Sequence, residues 1–75
     1  MSRLVSPNEM FEAAKQWLGK EPESRSDWGN ILLFMATNIV QSCRKSACGL
    51  MVKMFDMPLT DDDVDSIVKQ ADAQV

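Results

Sequence analysis

The side chains with chemical reach cluster in the middle of this sequence. Ser42, Cys43, Ser46 and Cys48 are nucleophile types standing beside Arg44 and Lys45. Neighbouring cations can favour the thiolate, the form that attacks disulfides and electrophiles, so a reactive cysteine is one reading. The rest of a nucleophilic machine is missing. The chain has no histidine, and Lys45 is the near candidate for a base. Cys43 and Cys48 lie five positions apart, about 140° around a continuous helix, so neither a shared face nor a ready bridge follows. Two thiolates also fall short of the four ligands of a structural zinc site. No glycine-rich phosphate cradle is present. These residues read as two free thiols in a reducing compartment, in a non-enzymatic chain that needs no cofactor. A thiol-dependent redox protein is a further class, testable by native thiol reactivity.

Carboxylates gather elsewhere, at Asp61, Asp62, Asp63 and Asp65. The surrounding stretch LTDDDVDSIVKQAD, residues 59–72, resembles the linker and incoming helix that precede a calcium loop in the EF-hand family. That family binds calcium in a twelve-residue loop rich in aspartate, with a central glycine and a final glutamate. Three residues follow Asp72, and a preceding loop would fall on ATNIVQSCRKSA, residues 36–47, which has two basic residues and no carboxylate. No calcium or other metal binding is expected. The aspartates read as a helix start, where negative charge opposes the positive end of the macrodipole.

Net charge is −3 over 75 residues, which disfavours broad electrostatic binding to nucleic acid. The charges are segregated: Arg44, Lys45 and Lys53 form a basic middle, followed by the aspartate cluster. Such segregation serves contact between chains or within one. A helix-turn-helix anchored on Gly49 would put Arg44 at a buried position, Lys45 where a small residue is wanted, and Pro58 at the end of the recognition helix.

The elements that carry these groups are helical. Ser6-Pro7-Asn8-Glu9 supplies an N-cap, a first-turn proline and a capping-box glutamate, with Val5 and Met10 at staple positions. Met10, Phe11, Ala14, Trp17 and Leu18 follow at helical spacing up to Gly19, giving a helix over about 7–18. After a polar loop, 19–27, the apolar positions 28, 32, 35, 39 and 43 step by threes and fours, giving a helix over about 27–43. Ser24, Ser26 and Asp27 are its candidate caps. A third helix, about 47–56, follows a break or kink near residues 44–46. The unbroken stripe through Ala47, Leu50 and Met54 also allows one long kinked helix from 27 to 56, roughly 45 Å in length. Pro58 ends it, and Thr60 with Asp63 opens a last helix over about 61–73. No strand signal is present. The chain reads as a single small helical domain, 1–75, an all-α bundle of three to four helices.

One stretch suggests a task. Leu50-Met51-Val52-Lys53-Met54-Phe55-Asp56-Met57 is apolar on more than one helix face, and methionine-rich surfaces repack readily against partners. The expected partner-binding face is Leu50, Met51, Met54, Phe55 and Met57, with Arg44, Lys45 and Lys53 at its rim. It implies an adaptor, regulator or inhibitor that contacts protein, itself as a homodimer or another chain. The alternative is a dimeric DNA-binding regulator that gathers Arg44 and Lys45 on one surface. The opening MSRLVSPNEM has no apolar core of signal-peptide length, and Trp28 to Cys43, the longest uncharged run, is too polar to span a bilayer. A cytoplasmic location without membrane contact is expected.

Overall fold

A computed structural model describes residues 6–74; Val5 of the expected first staple, and Val75, lie outside them. Four helices follow one another: α1 (Pro7–Leu18), α2 (Arg25–Thr37), α3 (Gln41–Met54) and α4 (Asp61–Asp72). Among the described residues no strand occurs. Helix α2 is the axis of the bundle, packing against each of the other three, while α3 also packs on α4.

The ends of α1 and α4 are built from local chemistry. The Ser6 hydroxyl accepts from the Glu9 N–H at 3.2 Å, and Pro7 follows at the first helical position. Gly19 closes α1 at φ 86°, where its N–H donates to the Lys15 carbonyl. Only glycine enters this left-handed region without a steric penalty. Thr60 and Asp63 form a reciprocal capping box on α4, with bonds of 3.1 Å and 2.9 Å. The same device opens α2, where Ser24 is the cap and Asp27 its reciprocal partner.

The boundary between α2 and α3 lies at residues 38–40, not at 44–46, and the single long helix does not form. Two side chains compete with the backbone at this point. Thr37 Oγ1 and Asn38 Nδ2 both donate to the Phe34 carbonyl, each at 2.8 Å. Local bonds of this kind offer the chain an alternative to the helical ladder. The turn folds α3 back, and the longest dimension stays at 35 Å with a radius of gyration of 11.4 Å, close to the roughly 11 Å of a compact chain of this length. Residues 41–46, whose polarity suggested a break, are the exposed opening of α3 apart from the buried Arg44.

At its other end α3 closes in a Schellman motif. Met57 N–H donates to Val52 C=O at 2.9 Å and Asp56 N–H to Lys53 C=O at 3.4 Å. This places Asp56 at φ 52°, a left-handed conformation held by a residue with a Cβ. Replacing Asp56 by glycine is expected to stabilise the fold by about 0.5–1 kcal/mol, and by valine to destabilise it by about 1–2 kcal/mol. Thermal melts of the two variants should move in opposite directions.

The core is Ile31, Leu32, Met35 and Ala36 of α2, packed with Ala14, Cys48, Met51, Met57, Val64, Ile67 and Ala71. A stacked aromatic column joins three elements at its edge. Phe11 lies 5.9 Å from Trp28 and 4.4 Å from Phe55, centroid to centroid. Lys15 Nζ sits 4.9 Å from the Phe11 ring centroid while pairing with Glu12 and Glu21. Trp17 departs from the expected α1 stripe. It is 58% exposed, tilted against Phe34 at 5.3 Å, because its position lies at the stripe's margin.

Candidate interaction surface

The LMVKMFDM stretch divides between inside and outside. Met51 and Met57 are buried core residues, and Phe55 is half-buried on Phe11. These three belong to the chain's own packing and leave the expected partner face. Leu50 and Met54 remain on it, 58% and 51% exposed. A helix that is apolar on several sides must turn one of them inward. On α3 the inner arc runs through Arg44, Cys48 and Met51.

The outer arc adds Cys43 and Ala47, which the sequence places on the continuing apolar stripe but not on the partner face, and Val40, which its pattern does not single out. Val40 is 68% exposed, Cys43 is exposed and Ala47 is half-buried. With Leu50 and Met54 they occupy positions 40, 43, 47, 50 and 54. The steps of 3, 4, 3 and 4 confine all five to about 80° of the helix circumference. This is the a/d spacing of a two-stranded helical seam. The available signal was the spacing itself, obscured because it runs across the polar start of α3. A shallow groove beside the seam is bounded by Lys45, Ser46, Gly49, Leu50, Lys53 and Asp61. A second apolar area lies between α1 and α2, where Met10, Ala13 and Phe34 line a smaller groove.

The basic rim is also redistributed. Arg44 is 5% exposed and turned inward. Its Nε donates to the Ala36 carbonyl at 2.8 Å and the Ile39 carbonyl at 3.2 Å, while Nη1 pairs with Asp72. It therefore caps the end of α2 and ties it to α4, a structural role that removes it from any surface patch. Lys45 pairs with Asp65 at 3.2 Å, and Arg25 reaches Asp63 at 2.6 Å. Of the segregated clusters, Lys45 and Asp65 thus pair with each other within the chain, while Arg44 and Asp63 find partners outside them. Lys53 stays exposed beside the seam.

Asp63 is held below the usual carboxylate range, first by the Thr60 N–H and then by Arg25. Asp27 is lowered in the same way by the Glu23 N–H and by Lys20. A carboxylate depressed in the folded state stabilises above its unfolded pKa of about 4 and loses that contribution as pH falls towards the folded value. The melting temperature should therefore drop between about pH 5 and pH 2, and Asp63→Asn should flatten part of that drop in pH-resolved thermal melts.

The two thiols face opposite ways. Burial pushes the Cys48 thiol up to about 11, against a smaller opposing pull from Arg44. Cys43 is exposed, with Ser42 Oγ 3.9 Å from its sulfur. A thiol reagent should modify one cysteine promptly in the native protein, and mass mapping should place it at Cys43. Cys48 should react only on unfolding. Prompt reaction of both would mean that α3 opens readily. Among the described residues no three His, Cys, Asp or Glu side chains gather as a metal site needs, and no helix is long and apolar enough to cross a membrane. Compared with known protein families, curated proteins and solved structures, the chain matches none.

Proposed function

We propose that this chain is a small non-enzymatic protein–protein interaction module, an adaptor or regulator, that pairs with its own copy through the outer face of α3. The observation that carries this reading is the exposure of Leu50 and Met54, 58% and 51%, on one uncharged stripe of α3 that runs beside the buried arc of Arg44, Cys48 and Met51. Two large aliphatic side chains kept in water along such a stripe mark an association surface. Trp17, comparably exposed, already leans on Phe34 of its own chain. Lys53 stands at the margin of the seam, where a charge orients an encounter more than it strengthens the complex. A reducing, cytoplasmic setting suits the two free thiols.

The DNA-binding alternative depended on Arg44 and Lys45, and its support weakens with Arg44 in the core and Lys45 paired to Asp65. It would require steep salt-dependent binding, which a gel shift at low salt measures. Sedimentation equilibrium tests the preferred reading. The average mass of the wild type should rise with concentration above the 8.4 kDa of one chain, and that of Leu50→Glu/Met54→Glu should not. A wild type that stays at one chain's mass up to about 1 mM, well above the range of even weak specific complexes, overturns it.

A further inference from the structure

Resting on that reading, we infer that two copies pair antiparallel along α3, with Cys43 of each chain against Met54 of the other. The spacing of the seam suits a helix as its occupant. Its five side chains follow the 3-4-3-4 spacing that repeated insertion into a facing helix needs, and a second α3 carries the same spacing. Val40, Ala47 and Met54 form one set of positions, Cys43 and Leu50 the other. In an antiparallel pair, positions of one set face positions of the other. Ala47 then meets the partner's Leu50 and Cys43 meets the partner's Met54, small residue against large in each layer.

Charge selects this direction over the parallel one. Helix α3 is the one helix of the four without a side-chain cap at its start, since Val40 stands at the cap and no acid occupies the first turn. The positive end of its dipole favours a negative neighbour. Antiparallel pairing in the stated register brings the partner's Asp56, exposed just past the end of α3, level with Gln41. The same register separates the two Lys53 side chains by about nine residues of helix, roughly 13 Å along the axis and beyond the Debye length of about 8 Å. It sets each lysine level with the partner's Arg44 and Lys45, the first buried and the second neutralised by Asp65. A parallel pair would set the two lysines at one level and leave both helix starts without an acid.

Size fixes the strength. Two heptads of seam bury well under the roughly 800 Å² per partner of a standard stable interface. The pair is therefore a weak, exchanging dimer rather than an obligate one, and the monomer fold does not depend on it.

Disulfide trapping reads the register. Cys48 is buried and stays silent, which leaves Cys43 and any introduced thiol to report. Wild type and Met54→Cys are oxidised with copper phenanthroline at about 0.2 mM and run on a non-reducing gel. Met54→Cys should form covalent dimer at least tenfold faster than wild type, and peptide mapping should link Cys43 of one chain to position 54 of the other. Equal rates, with wild type joined through Cys43 alone, would show parallel pairing and overturn the register while leaving self-association intact. No trapping from either protein, with dimer present by sedimentation, would move the interface off α3. A wild type that sediments as a monomer defeats the underlying reading and the register together.

Discussion

Replacing Arg44 by methionine should remove a large share of the stability of this fold. The substitution keeps the aliphatic stem that fills the space and deletes the guanidinium. The Ile39 carbonyl in the following turn then loses the guanidinium N–H, the Ala36 carbonyl keeps only backbone N–H donation, and Asp72 loses its partner. Breaking a buried ion pair on one side costs about 3–5 kcal/mol when the abandoned charge stays buried. Asp72 retains about a third of its side-chain exposure, so water recovers part of that loss. A net cost of about 2–4 kcal/mol follows, against the roughly 4–11 kcal/mol available to a chain of this size. The melting temperature should fall by more than about 10 °C. Denaturant unfolding of Arg44→Met, Asp72→Leu and the double variant measures the coupling, which should exceed about 1 kcal/mol. A single-variant loss below that figure would mean that Arg44 is a bystander in the turn.

The opposite pattern is expected for Leu50→Glu/Met54→Glu. Both side chains are more than half exposed, and glutamate is a good helix former, so helicity and melting temperature should change little. Association should nevertheless disappear, because four glutamates would be brought onto one apolar seam, two from each chain. Each desolvated, unpaired carboxylate opposes complex formation by several kcal/mol. A matched control lies one residue away. Met51→Glu places its charge in the core at a site only 2% exposed, and should unfold the monomer. Neighbouring substitutions of identical chemistry thus separate stability from binding, and circular dichroism with sedimentation distinguishes the two outcomes.

Much of this architecture is legible in the sequence where the controlling chemistry is local. Helices α1 and α4 announce themselves because Ser6, Pro7 and Glu9, or Thr60 and Asp63, act within a few residues of one another. Pro58 and Gly19 mark stops for equally local reasons. The α2–α3 boundary resists reading because apolar spacing continues across it, while the side chains that cut it are Thr37 and Asn38, ordinary residues in a helical pattern. Its third support, Arg44, bonds to Asp72 across 28 positions, and no sequence pattern reveals that an arginine flanked by polar residues lies buried.

The candidate surface follows the same division. Composition identifies the methionine-rich stretch, yet Met51 and Met54 differ only in which way the helix turns them. Their assignment to core and surface needs the partner helices α2 and α4 in place. The aspartates of α4 illustrate a converse lesson. Their resemblance to a calcium-sensor helix resolves into capping by Asp63 and ion pairs to Arg25 and Lys45, interactions that any helix start beside basic neighbours can make.

Methyl NMR of the methionines measures the central claim most directly, that the outer face of α3 is covered by a second chain in solution. Between about 20 μM and 1 mM the ε-methyl resonance of Met54 should shift progressively, while those of the buried Met35 and Met51 hold their positions. A Met54 resonance that stays fixed across that range would contradict the account.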